Sequence, residues 1–274
     1  MPFARLLAAL LVLGFAGTAQ AQTRPSVSEI SGAPKSFLFV GNSFFYYNNS
    51  MHNVFLRFAR EGDAANAATY RATSATISGS GLNWHDMEAY LKPGSGMASY
   101  SFVGDNEVVF NTVERPFDVV LMNDCSQCPV HPKLVGLFHE YVKKHGDTAK
   151  RLGATPVLFM TWAYADKPEM TEQLAEQYVR AGNENGLLVI PAGLAFAKAL
   201  KRNSELSLYA SDKRHPSPAG TYLAAATAYA ALFKRSPEHM KVPMPGVDPE
   251  VANLLRAVAW ETVREFHAAA APSR

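Results

Sequence analysis

The sequence has no lysine- or arginine-rich cluster, and its 26 basic residues nearly balance 24 acidic ones, for a net charge of +2. That balance exerts little pull on a polyanion, so neither nucleic acid nor an anionic membrane surface is expected as a partner. Cysteine is scarce as well. The two present, Cys125 and Cys128, stand in the order Cys-Ser-Gln-Cys. A structural zinc site wants four ligands at set spacings, and only His131 lies close by. The other histidines share no ligand spacing, and no metal or cofactor is expected. Long apolar runs are confined to one place, residues 6–17, and no internal repeat is visible.

The run at 6–17, LLAALLVLGFAG, follows Arg5 and precedes Ala19-Gln20-Ala21. A positive start, a short apolar stretch and small residues at a cleavage site are the marks of an export signal. The run is too short for a bilayer anchor, which needs about 20 residues. Residues 1–21 are therefore expected to be a signal peptide, and the mature chain to have no integral membrane anchor and to be periplasmic or secreted. Residues 22–35 read as a loose leader, and 36–274 as a single domain of ordinary globular composition, 48% apolar and 18% charged.

Four short apolar runs carry the fold signal: Phe37–Val40, Val119–Met122, Val157–Met160 and Leu187–Ile190. Continuous runs of this length suit strands covered on both faces, hence a parallel sheet. A further strand fits near Thr69–Thr76. Helical periodicity fills the intervals at 50–61, 134–151, 169–185, 193–202, 218–233 and 249–268. The alternation predicts an α/β three-layer α/β/α sandwich around a mostly parallel sheet. Segment 92–113, glycine-rich and mixed, reads as an insertion or a flap.

In such sheets reacting groups gather at the carboxyl ends of strands. The first strand ends at Gly41-Asn42-Ser43 and the second at Asn123-Asp124, while "YASDKRHPSPAG" carries Asp212 and His215 just before a helix. Ester hydrolysis by a serine needs a hydroxyl nucleophile, a base and a carboxylate to orient the base. Ser43, His215 and Asp212 supply these three. It also needs donors aimed at the developing oxyanion, for which the Ser43 N–H, a glycine N–H and the Asn123 amide are candidates. Trp162 and Tyr164 end the third strand, where they either stack on a sugar ring or serve the core.

Four stretches, "VGNSF", "ISGSGLNWH", "LMND" and "SDKRHPSPAG", resemble, in order, the four blocks of the SGNH, or GDSL-like, serine hydrolases. The match is nearest the branch with Gly-Asn-Ser at the nucleophile. The resemblance implies a flavodoxin-like fold, Ser43 as nucleophile, Asp212 and His215 as the rest of the triad, and Ser43, Gly79 and Asn123 around the oxyanion. Gly79 is chosen over Gly81 by its offset from Leu82. Leu121 departs from the family pattern, which usually has a glycine there.

The expected activity is that of an exported serine esterase working through an acyl-enzyme on small-molecule or glycan esters, short-chain or O-acetyl. The alternative is a non-catalytic exported ligand-binding protein on the same fold. Cys125 and Cys128 are expected to form a small disulfide in an oxidising compartment, with free thiols or a redox pair as the other readings.

Overall fold

The computed structural model describes residues 24–97 and 99–268; the expected signal peptide, residues 1–21, lies outside them. Seven strands and eight α-helices follow in chain order: β1 Ser36–Gly41, α1 Ser43–Tyr46, α2 Met51–Gly62, β2 Arg71–Thr76, α3 Met87–Leu91, β3 Tyr100–Gly104, β4 Glu107–Phe110, β5 Val119–Met122, α4 Val135–Arg151, β6 Thr155–Phe159, α5 Met170–Asn185, β7 Leu188–Ile190, α6 Ala192–Arg202, α7 Pro218–Phe233 and α8 Pro249–Ala268.

Five strands form one sheet in the order β2-β1-β5-β6-β7, every pair parallel. The strands at its centre are continuous apolar runs because both faces are covered: Phe37, Leu38, Phe39 and Val40 are all fully buried, as are Val120, Leu121 and Met122. α2, α7 and α8 pack together, as do α3, α4 and α5. α7 is apolar all round, and every residue from Gly220 to Leu232 is buried. The chain leaves β1 toward β2 on one side and later returns to place β5 on the other. The strand order therefore reverses between β1 and β5, where doubly wound sheets open a crevice at their carboxyl ends.

Two elements add to the sequence-based expectation and one differs from it. A one-turn helix at Ser43, capped by Asn42 accepting from the Phe44 N–H at 3.2 Å, precedes the helix expected at 50–61, which forms as α2. Segment 92–113 contains a separate antiparallel hairpin, β3–β4. The leader, expected to be loose, is fastened along residues 24–28: Asn183 bonds both the Ser26 N–H and the Arg24 carbonyl, and Lys234 donates to the Ser28 carbonyl.

Candidate active site

Ser43 sits at the end of β1 as the first residue of α1. Its N–H is among those a helix start leaves without an intrahelical partner. The side chain of Asn42 fixes this corner. Its Nδ2 donates to the Ser80 carbonyl at 2.9 Å and to the Asp124 carbonyl at 3.0 Å. One amide thus ties the ends of β1 and β5 to the loop after β2. An aspartate could not donate either bond.

The loop from Leu208 to Ser217 is pinned on several sides. Tyr209 and Pro216 form a bridge, Ala210 N–H donates to the His215 carbonyl at 2.8 Å, and Trp162 Nε1–H donates to the Arg214 carbonyl at 2.9 Å. Within it, Asp212 Oδ1 accepts the N–H groups of Arg214 and His215, each at 3.0 Å. That local turn leaves Oδ2 bonded to His215 Nδ1. Partial burial works to raise the Asp212 carboxyl, but the hydrogen bonds from His215 and the two backbone N–H groups outweigh it and bring it to about 2. The other ring nitrogen, His215 Nε2, lies 2.8 Å from Ser43 Oγ. Ser217 then caps α7, accepting from Gly220 N–H at 3.1 Å, with Pro218 opening the helix.

The His215 ring is also held from the side. Tyr47 stacks on it with ring centres 4.2 Å apart and planes 3° from parallel, and Phe44 meets it edge-on. Asn48, in the left-handed region, donates from Nδ2 to the Pro216 carbonyl and to Thr221 Oγ1, both at 2.8 Å. It thereby joins the segment after Ser43 to the loop of His215. From sequence, Tyr46, Tyr47 and Asn48 could equally line a pocket or pack; Tyr47 and Asn48 position the histidine.

Asn123, one residue beyond β5, is fully buried, and neither its amide nitrogen nor its oxygen has a partner among the described residues. A buried primary amide without partners costs free energy, so an unused donor here is an expensive feature to keep. Its fit also explains Gly41: a Cβ there would stand 1.6 Å from Asn123 Oδ1. Neither the Ser43 nor the Gly79 N–H has an acceptor among the described residues.

The two glycines of the second block have different reasons. Gly79 is exposed, has φ +70° and has open space where a Cβ would point. Gly81 is buried, and a Cβ there would meet Asp124 Oδ1 at 2.8 Å. Asp124 is structural: Oδ1 accepts from Leu82 N–H at 2.9 Å and Cys125 N–H at 2.8 Å, while burial raises its carboxyl. Ser80 donates to the Gly41 carbonyl at 3.1 Å and meets His85 Nε2 at 3.1 Å. Burial, helped by neighbouring His145, lowers His85 to about 4 and keeps it neutral.

Cys125 and Cys128 are bonded to each other. With Asp124 they bring three ligand-type atoms within 4.8 Å of one another. Sulfurs in a disulfide are not the thiolates a metal needs, and the carboxylate is already engaged. Trp162 and Tyr164 are buried and cannot form a sugar platform. Trp162 lies flat between Phe44 and Phe196, and Tyr164 OH bonds Ser126 at 2.7 Å. An aromatic at a strand end gives no signal of which way it turns. The exposed aromatics near the loop of Gly79 are Trp84, 60% exposed, and Tyr46, whose OH reaches Ser78 at 3.0 Å.

No family model matches the sequence, and no curated protein matches it. Solved structures do. The chain is similar to a DUF4886 family protein from Bacteroides uniformis, 19% identical over 83% of this chain and 94% of that one, with a TM-score of 0.55. It is similar to a proposed SGNH hydrolase from Slackia heliotrinireducens, 22% identical over 73% and 99%, TM-score 0.53. An acetyl xylan esterase aligns at 13% identity over 72% and 98%, TM-score 0.52. At these identities the likeness is one of fold: the parallel sheet and its flanking helices are those of SGNH hydrolases.

Proposed function

We propose that the protein is an exported serine esterase of the Gly-Asn-Ser branch, cleaving short-chain or O-acetyl carboxylic esters through an acyl-enzyme. The observation that carries this is the continuous line from Asp212 through the His215 ring to Ser43 Oγ, with the unpartnered Asn123 amide beside the same strand end.

In this reading His215 Nε2 takes the proton as Ser43 Oγ attacks the ester carbonyl. Asp212 holds Nδ1–H and favours the imidazolium that forms. Negative charge on the carbonyl oxygen would meet the Ser43 and Gly79 N–H groups and Asn123 Nδ2, donors that make no other hydrogen bond among the described residues. His215 returns its proton to the leaving alcohol, the Ser43 ester remains, and a water deprotonated by His215 releases the acid.

Acetylated carbohydrate is the proposed substrate class. Support comes from the acetyl xylan esterase of like fold, from an export signal that would bring the protein to extracytoplasmic glycans, and from the exposed Trp84 and Tyr46 on which a sugar ring can stack. The test is hydrolysis of p-nitrophenyl acetate and acetylated oligosaccharides by the purified protein and by Ser43→Ala. The proposal expects release of acid by the first alone. Equal rates from both would leave a ligand-binding protein on a hydrolase fold.

A further inference from the structure

The hairpin of β3 and β4 stands apart from the main sheet and packs chiefly on itself. Its register pairs Tyr100 with Phe110 and Phe102 with Val108. Directly opposed residues of an antiparallel pair share a face, so one face carries four apolar side chains and no polar one. All four are exposed: Tyr100 57%, Phe102 72%, Val108 42% and Phe110 61%. Val103 and Val109 are about half exposed as well. A two-stranded sheet with no cover is marginal in water, and a face of this kind is normally buried against something.

We propose that this hairpin is a homodimer interface, with two copies of the chain pairing hairpin to hairpin about a two-fold axis. Area supports a second copy. The tyrosine, the valine and the two phenylalanines of this face, at these exposures, present roughly 500 Å² of apolar surface, so two copies would bury about 1,000 Å², the size of a weak, concentration-dependent interface.

Charge supports the same partner and sets its orientation. Between Lys92 and Arg115 there is no lysine or arginine, while Asp105 and Glu107 stand at the tip. An acidic tip is unsuited to an anionic lipid surface. In an isologous antiparallel pair each tip crosses to the partner's base. The exposed Lys92 and the 61%-exposed Arg115, which also pairs with Asp118 at 2.8 Å, flank the hairpin in sequence on that side. Strands of five residues span about 17 Å, which keeps the two acidic tips apart.

Placement argues against a lid over Ser43. The incoming chain is tied to the middle of edge strand β2 by Thr73 Oγ1 donating to the Met97 carbonyl at 3.4 Å. The outgoing chain passes a cavity of about 710 Å³ lined by Lys35, Ser36, Arg71, Arg115 and Asp118. That cavity opens at the amino ends of β1 and β2, the other end of the sheet from Ser43.

Sedimentation equilibrium of the purified protein tests this. The wild type is expected to show a concentration-dependent species of twice the chain mass. Phe102→Asp should raise the dimer dissociation constant at least tenfold while circular dichroism and ester hydrolysis are kept. Asp105→Lys with Glu107→Lys, which touches no apolar contact, should weaken the dimer at low salt, with the difference closing at high salt. A wild type monomeric up to about 100 μM, a dimer indifferent to Phe102→Asp, or a monomer that binds phosphatidylcholine vesicles through the hairpin would each overturn the proposal.

Discussion

Around Ser43 the chain buries Asn42, Ser80, His85, Asn123 and Asp124, all polar; along residues 100–110 it exposes Tyr100, Phe102, Val108 and Phe110, all apolar. Both regions invert the usual distribution, and they differ in how far the inversion is compensated. In the Ser43 corner nearly every buried polar group is matched. Asn42, Ser80, His85 and Asp124 each bond a named neighbour, and the exception, Asn123, stands beside the candidate nucleophile. In the hairpin Gly96 packs against the Phe110 ring, and the rest of the apolar face stays exposed. An unmatched amide donor beside a candidate nucleophile marks where a ligand atom enters. A whole unmatched face marks where a surface docks.

The comparison breaks first if the matched corner has no reaction to serve. Ser43→Ala or His215→Ala should each lower kcat/KM for acetyl esters by about 10⁴-fold or more, measured by initial rates. Asp212→Asn should cost less than His215→Ala, because the pinned loop and the Tyr47 stack still hold the ring.

Asn123→Leu sharpens the contrast between matched and unmatched groups. The side chains are of similar shape, and the amide makes no hydrogen bond. Activity should fall about 10²–10³-fold, as when one oxyanion donor is lost, while the thermal midpoint stays level or rises. A collapse in stability with it would make Asn123 structural.

Asn42→Asp should do the reverse. It removes both donated bonds and sets a carboxylate against the Ser80 and Asp124 carbonyls, for a loss of about 1–3 kcal/mol read as a lower urea midpoint.

The last prediction concerns pH. Burial lowers His267 to about 4, its Nε2 meeting the Val189 carbonyl at 3.2 Å, and His85 also falls to about 4. Between pH 6.5 and 4 the unfolded chain carries protons on these rings that the folded chain refuses, so stability falls as pH falls. The slope is about 1.4 kcal/mol per pH unit for each ring. Thermal midpoints across that range check it, and His267→Gln should flatten the slope by about one proton.

How much of this was legible in the sequence followed physical lines. β1, β5, β6 and β7 read clearly because strands covered on both faces must be apolar throughout. Asp212 and His215 read clearly because an aspartate that turns back on the next N–H groups announces itself in Asp-x-x-His-Pro. The one-turn α1 was invisible, since four residues carry no period; only the Asn42 cap makes it a helix. The hairpin was obscured by its glycines and by a surface that faces outward, so its apolar residues do not register as core. Trp162 was ambiguous because strand-end position does not fix whether a ring turns out to a ligand or in against Phe196. The donor role of Asn42 was present in the letter itself, an amide where the resembling family often has a carboxylate.

Labelling with a fluorophosphonate, followed by peptide mass spectrometry, asks most directly whether His215 activates Ser43. The account predicts a single adduct on the Ser43 peptide, formed in step with loss of ester hydrolysis and absent from His215→Ala. Hydrolysis that survives complete labelling of Ser43, or an active protein whose Ser43 stays unmodified, would contradict it.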